Sequence, residues 1–379
     1  MWEKINRIKK LNAACNILFI TDQHSGYKFD NQKRCLDLVG RLAESLPLDC
    51  IVSGGDLGND YAEEKEIVCR SYLEMMARYE KMNAKVLCCI GNHDDATGVN
   101  KDREDMADRC FLPEELHRIM QEKSEAYAVF DSENPYGNYF YYDIDRAKIR
   151  VIGLNTSDID YVRVGNRFTQ NSFDVMRLSR RQLDWVEQAA LNTDYRCVFF
   201  SHAPLINDGI AGVSVEPGGG RELYERLTDR ERVIGVFSGH VHYDNLVAGR
   251  LPRITTLCAF SVQWGDGPER CIGQESEFAF DVISIASDRV YLTRFGAGEN
   301  REYLLEDERC EKCLQGITGF IPVQGRIAPG ASGRCFRSIM LTRNLYLNRE
   351  YIFLITETRT KRIIIFPIPI IKIRGSCPL

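Results

Sequence analysis

Val86-Leu87-Cys88-Cys89-Ile90-Gly91-Asn92-His93-Asp94 decides the fold of this chain. Its first five residues are the apolar run expected of a strand buried on both faces. The run stops at glycine and gives way to an amide, an imidazole and a carboxylate. Four other segments have the same form. Asn16–Ile20 leads into Asp22-Gln23-His24, and Asp49–Ser53 leads into Gly55-Asp56. Arg196–Phe200 leads into Ser201-His202, and Arg232–Phe237 leads into Gly239-His240-Val241-His242. In open α/β sheets, sites form beyond the carboxyl ends of the strands. Five strand ends that each deliver a polar group therefore describe one site, built from distant parts of the sequence.

The chain has six histidines, and five of them fall in these motifs. Histidine, aspartate and asparagine supply nitrogen and oxygen ligands suited to Zn, Mn, Fe or Ni, and there are enough of them for two ions. Taken singly, each residue has a blander reading. Asp56 alone would be a helix cap or turn residue, His202 a satisfied core or loop residue, and Asn92 a turn residue. Those readings would have to hold together for nearly every histidine present. His117 is the exception: it lies in Pro113–Arg118, which reads as a surface helix, and no site role is expected of it.

The five motifs in this order resemble the calcineurin-like metallophosphoesterase family, whose pattern is D-x-H, G-D, G-N-H-[DE], H and G-H-x-H. The resemblance covers about residues 14–300. It implies an α/β fold, a two-sheet sandwich flanked by helices in four αββα layers, with two divalent metal ions in one site. Residue by residue, it implies that Asp22, His24 and His242 hold the first metal. Asn92, His202 and His240 hold the second, and Asp56 bridges both. His93 would meet the phosphate or its leaving group, with Asp94 orienting its ring. The implied reaction is hydrolysis of a phosphomonoester or phosphodiester by metal-bound hydroxide, with a small phosphoester as substrate. A nuclease of the same fold and a non-catalytic scaffold are the alternatives. No ligand position of the pattern is missing, which speaks against the scaffold.

Composition bounds the rest. The chain has 379 residues, 44% of them hydrophobic, enough for one large α/β domain with an appendage. A net charge of −5 makes nucleic acid a weaker candidate partner than a small phosphoester. The fourteen cysteines are scattered, and Cys50, Cys88, Cys89 and Cys197 lie in core-strand runs. That use fits buried thiols in a reducing compartment, so a cytoplasmic setting is expected. The first apolar run is the strand carrying Asp22, so no cleavable secretory signal is read there. No apolar stretch reaches the roughly 18–20 residues of a membrane helix.

Spacing places further elements. Cys35, Leu38, Val39 and Leu42 predict a helix over residues 31–46, and a second is predicted over 61–82. Charge-rich residues 97–135 read as a helical or irregular excursion, either a pocket wall or a surface insert. Residues 138–144 and 148–155 read as paired strands of the second sheet. Arg180–Trp185 opens a helix with Leu183, Val186 and Ala190 inward. Residues 204–220 form a glycine-rich candidate rim. Residues 277–285 and 289–295 are expected to close the second sheet, and Gly296–Arg301 reads as a domain end.

The catalytic domain is accordingly drawn over 1–305, with a basic C-terminal extension over 306–379. Residues 309–379 hold twelve Lys and Arg against three Asp and Glu, a net of +9, whereas the first 308 residues net −14. Tyr351–Thr356 and Ile363–Phe366 are strand-like, and Pro367 and Pro369 suit an edge. The composition favours a bland β-rich or irregular extension over a nucleic-acid, anionic-surface or partner-binding module. Cys310-Glu311-Lys312-Cys313 lacks the second ligand pair that a zinc site needs.

Overall fold

The computed structural model describes residues 1–25, 32–58, 64–207, 214–248, 250–260, 268 and 270–305. It also describes backbone strands at 321–324, 337–342, 345–347, 351–358 and 361–369. The principal helices are α1 (Trp2–Lys10), α2 (Gln32–Ser45), α3 (Lys65–Tyr79), α4 (Arg180–Trp185) and α5 (Gly220–Thr228). The first strands are β1 (Cys15–Ile20), β2 (Cys50–Ser53), β3 (Lys85–Cys88), β4 (Val129–Phe130), β5 (Phe140–Ile144) and β6 (Ile149–Gly153). They are followed by β7 (Arg196–Ser201), β8 (Val233–Ser238), β9 (Asn245–Val247), β10 (Arg253–Thr255), β11 (Ala279–Ile285), β12 (Arg289–Gly296) and β13 (Arg301–Leu304).

These strands form two mixed sheets. The first has the order β13-β12-β11-β1-β2-β3, and the second β9-β10-β8-β7-β6-β5-β4. Strands β1, β2 and β3 run parallel, as do β6, β7, β8 and β10. The ligand-bearing strands are thus divided between the sheets, three in the first and two in the second. Alternation along β1 shows why its sequence is apolar throughout. Ile17 and Phe19 face the second sheet, in a core with Val52, Leu87, Val151, Val198 and Phe200. Leu18 and Ile20 face outward, against α2 and α3 through Leu36, Val39, Leu42, Tyr72 and Met75. On the other side, Ile152, Phe199 and Val236 pack beneath α4 and α5 through Leu183, Val186, Leu223 and Leu227. The result is the expected αββα sandwich.

Three phenylalanines pin the sheets together at the site end. The Phe19 and Phe200 rings are 5.2 Å apart, and Phe200 stacks on Phe237 at 5.3 Å. Each ring lies two or three residues before a candidate ligand.

Several local expectations hold. The first two predicted helices are α2 and α3, and β5 pairs with β6 antiparallel in the second sheet. Ser179 caps α4 by accepting from the Gln182 N–H. Leu183, Val186 and Ala190 are buried. Two expectations fail. Strands β11 and β12 belong to the first sheet, because β11 pairs antiparallel with β1. Their alternation could not tell one sheet from the other, since both bury the same apolar faces. His117 is buried at 3% exposure, with Nδ1 3.1 Å from Asn138 Oδ1 and Nε2 2.8 Å from Glu125. The asparagine that meets it comes from 21 residues away, and the glutamate from the next helical turn.

The 97–135 excursion packs Phe111, Leu116 and Met120 into the α2–α3 layer. It also guards the edge strand β3: the Tyr127 hydroxyl donates to Val86 O at 2.6 Å, and Gln121 donates to Cys88 O at 2.7 Å. Cys15, Cys35, Cys50, Cys88, Cys89, Cys110 and Cys197 are buried thiols. No helix among the described residues is long and apolar enough to cross a membrane. The Cys310–Cys313 pair and residues 208–213 of the candidate rim lie outside the described residues.

Beyond the Gly296–Asn300 turn, and within the domain as drawn to residue 305, the chain forms β13. Arg301 and Tyr303 point inward from it, and the Tyr303 hydroxyl donates to Ile234 O at 3.0 Å. A five-stranded antiparallel meander follows, β14 (Ile321–Gln324), β15 (Arg337–Thr342), β16 (Leu345–Leu347), β17 (Tyr351–Thr358) and β18 (Lys361–Pro369). Both proline-bearing positions fall on β18, an edge strand of that sheet. We expect a chain ending at Leu305 to stay soluble and unfold with the midpoint of the full-length catalytic unit in urea. A chain ending at Asn300, which lacks Tyr303, should unfold at lower urea or aggregate. Equal midpoints for the two truncations would disprove a structural role for β13.

Candidate metal centre

All seven predicted ligands meet at the carboxyl ends of β1, β2, β3, β7 and β8. Asp22, His24 and His242 form one group, and Asp56, His202 and His240 form another. Within each group the ligand atoms all lie within 4.8 Å of one another. Asn92 joins the second group, with its Oδ1 2.8 Å from His202 Nε2. The Asp56 carboxylate lies between the groups, its Oδ2 3.2 Å from His202 Nε2 and 3.7 Å from His24 Nε2. The Nε2 atoms of His24 and His242 face each other at 3.3 Å, and Asp22 Oδ1 lies 3.1 Å from His242 Nε2.

The backbone is strained to make this arrangement. Nine non-glycine residues have positive φ among the described residues, and five of them are Asp22, His24, Asp56, His240 and His242. Left-handed backbone at such residues costs of order 1–3 kcal/mol each and persists where the surroundings over-determine it. Glycine supplies the room. A Cβ on Gly91 would stand 2.1 Å from Asp56 Oδ1, and one on Gly239 would stand 2.3 Å from Asp22 Oδ2. Those two glycines let neighbouring loops close onto the carboxylates.

Hydrogen bonds then fix the ligand atoms. The Thr21 hydroxyl donates to Asp22 Oδ2 at 2.8 Å, and the His240 N–H donates to the same carboxylate at 2.9 Å. His202 Nδ1 lies 2.9 Å from Gly54 O, so an Nδ1–H donated there leaves Nε2 for a ligand role. The His93 N–H donates to Asp56 Oδ1 at 2.9 Å. Sequence reasoning assigned Asp94 to the His93 ring. The structure turns its carboxylate onto the backbone instead, where it accepts from the N–H of Asp56 at 3.0 Å, Leu57 at 2.8 Å and Gly91 at 2.7 Å. Asp94 thus organises the turn that presents Asp56.

Charge follows from this packing. Burial opposes ionisation of Asp22, but the His242 imidazole beside it holds its carboxyl at about 2. Burial likewise opposes ionisation of Asp56, yet His202 and His93 hold it well below the usual carboxylate range. Burial keeps His24 down at about 4 and His240 at about 3, so both are neutral ligands at pH 7. His202 goes the other way. Burial disfavours its charge, but Asp56 outweighs burial and raises the imidazole to about 10.

The His93 ring meets the His24 ring at 5.0 Å and Phe173 at 4.6 Å. It belongs to neither ligand group and is partly exposed. Sequence reasoning missed the segment that covers it. The Ser172 hydroxyl donates to Asn92 O at 2.6 Å, and the Tyr161 hydroxyl donates to the buried Asp95 at 2.9 Å. No periodicity or motif in residues 156–175 signals these contacts, which arise from the folding of an irregular loop.

The two groups of imidazoles and carboxylates, held in strained backbone, fit two divalent cations. This sandwich and its paired ligand groups define a dinuclear metallohydrolase architecture. The chain belongs to the calcineurin-like phosphoesterase family, whose profile matches residues 15–244. Among solved structures it is similar to a dimetal phosphatase from Danio rerio, at 14% identity and a TM-score of 0.51, covering 78% of this chain and all of that one. It is also similar to GAP50 of Plasmodium, the anchor in the inner membrane complex, at 14% identity and TM-score 0.41, covering 73% and 83% of the two chains. Vps29 of Cryptosporidium parvum follows at 13% identity and TM-score 0.31, covering 76% and 96%. No curated protein matches the chain significantly.

The position of Asp56 between the groups predicts that Asp56→Asn lowers occupancy at both, read by elemental mass spectrometry of the purified protein. Two metals retained at wild-type affinity would remove Asp56 from the bridging position. The raised His202 gives a pH prediction with a definite sign. Below about pH 10 the metal-free imidazole carries a proton that ligation must expel, so affinity rises with pH. Calorimetric titration of Mn²⁺ in buffers of different ionisation enthalpy should show release of about one proton per protein near pH 7. His202→Ala should abolish that release.

Proposed function

We propose that this protein is a dinuclear-metal-dependent phosphoesterase acting on a small phosphomonoester or phosphodiester. The observation that carries this reading is the Asp56 carboxylate between two complete ligand groups, with His93 beside them and outside both. Asp22, His24 and His242 would hold one cation, and Asn92, His202 and His240 the other. Two bound cations supply charge neutralisation for the phosphoryl oxygens and an acidified water as nucleophile.

The chain's own residues do the remaining work. Asp56 keeps the two groups in register through Oδ2, which faces His202 and His24, while Oδ1 accepts the His93 N–H. Asn92 contributes a neutral oxygen, so the centre retains positive charge for an anionic substrate. His93 donates a proton or hydrogen bond to the departing oxygen, and Phe173 packs on its ring to limit its movement. Asp94 acts as a positioning residue through the backbone of Asp56. The buried thiols support a reducing, cytoplasmic setting as part of the same proposal.

Activity with Mn²⁺ toward p-nitrophenyl phosphate, bis-p-nitrophenyl phosphate and cyclic nucleotides would separate monoesterase from diesterase function. No hydrolysis of any by metal-loaded protein would count against the reading. His93→Ala should keep both metals and lose about 10²–10⁴ in turnover, the range for a lost general acid. The loss should shrink for substrates with good leaving groups, which need less protonation. Loss of a metal in His93→Ala would make it a ligand instead.

A further inference from the structure

Four charged residues, three of them buried, lie just beyond the last candidate metal-binding histidine, and neither the motifs nor the reaction accounts for them. Arg294 on β12 is 1% exposed, Asp281 on β11 is 1% exposed, and Arg301 on β13 is 4% exposed. The fourth, Asp244, stands two residues after His242 and is partly buried. All three guanidinium nitrogens of Arg294 are engaged. Nε donates to Asp281 Oδ1 at 2.9 Å, and Nη1 and Nη2 fork onto Asp244 at 2.8 and 2.7 Å. Nη1 also donates to Ala297 O and Nη2 to the Thr256 hydroxyl, both at 2.8 Å. Arg301 donates to Asp281 at 2.5 Å and lies 3.2 Å from Asp244.

A buried network of this kind is a weak source of stability, since apolar side chains of equal volume often do as well or better. Its bidentate geometry is better suited to fixing position. What it fixes is the end of a strained turn. His240 and His242 both hold left-handed backbone, at φ of 67° and 50°. The upstream end of their turn is tied to the site itself, by the Gly239 N–H on His202 O and the His240 N–H on Asp22. The downstream end is tied to the first sheet by Asp244 in the Arg294 fork, and to the second sheet by the Thr255 hydroxyl, which donates to Tyr243 O at 2.7 Å.

We propose that Asp244, clamped by Arg294 and Arg301, is a positioning residue for the first metal group, holding His242 where it can share a cation with Asp22 and His24. The inference rests on reading those three residues as metal ligands. It makes β13 part of the metal centre, although β13 contributes no ligand.

The test is Mn²⁺ titration by calorimetry on full-length protein, with thermal unfolding in EDTA and in Mn²⁺. His24→Ala serves as the reference for loss of the first group. Asp244→Asn removes one carboxylate and leaves Arg294 paired with Asp281. It should weaken the same binding step that His24→Ala removes, by about tenfold or more, the scale for residues that orient metal ligands. The other step should be unchanged. Melting in EDTA should move little, while the gain in melting temperature on adding Mn²⁺ should shrink. Arg301→Lys keeps the charge and loses the guanidinium contacts with Asp281 and Asp244, so it should weaken the same step by less, which covers the case of an insoluble Asp244→Asn. Wild-type affinity at both steps, with a lowered melting temperature in EDTA, would overturn the proposal in favour of a purely structural network. If wild-type protein binds no Mn²⁺, the metal-centre reading fails and this inference with it. If wild type binds metal but hydrolyses nothing, the inference still stands or falls on the Asp244→Asn titration.

Discussion

The site exists only because two separate sheets are held in register at one end. Three of the five ligand-bearing strands lie in one sheet and two in the other, so neither sheet alone assembles either metal group. The contact that sets the register is the packing of Phe19 from the first sheet against Phe200 and Phe237 from the second. Each ring sits directly beneath a ligand turn, so a shift there becomes a shift of Asp22, His202 or His240. Protein interiors are close-packed and transmit such displacements. The aromatic cluster therefore sets the separation of the ligand groups before any polar contact adjusts it.

Above that cluster the polar contacts form two supports of similar design. Asp94 gathers three backbone N–H groups under the Asp56 turn. Arg294 gathers two carboxylates behind the His240–His242 turn. In each case an ionisable side chain is used up on the protein itself, and a turn bearing candidate ligands is fixed in place. Strained φ at five ligand residues is tolerable because these supports act on the turns from both ends.

The architecture and the convergence of the candidate ligands were legible in the sequence because each carries a local signal. A strand buried on both faces is apolar at every position, and a ligand turn interrupts it with histidine, aspartate or asparagine beside glycine. What was not legible depends on partners distant in sequence. The faces of β11 and β12 suit either sheet, and only their pairing with β1 decides. His117 sits in a charged stretch that reads as solvent-facing, yet its ring is buried, with Asn138 on one ring nitrogen from 21 residues away and the exposed Glu125 on the other. The family resemblance implied the His93 ring as the partner of Asp94. The N–H groups of a turn 37 residues earlier compete successfully for its carboxylate. Residues 156–175 carry no periodicity, and their contact with His93 through Phe173 emerges only in three dimensions.

Because both ligand groups draw residues from both sheets, a cation in either one is a reversible cross-link. Asp22 and His242, which would share a cation, lie 220 residues apart in the chain. Closing a covalent loop of that span removes chain entropy worth about 5 kcal/mol from the unfolded state in the simplest treatment. A coordinate bond between the same points acts in the same sense for as long as it lasts. The folded lifetime of this protein would then track the supply of metal around it. The sandwich would be stapled at its metal-binding end, while Arg146, paired with Asp49 and donating to Ala14 O, joins the sheets at the opposite end. Withdrawal of metal would loosen it first at the end where the turns are strained, like a book opened from its clasp.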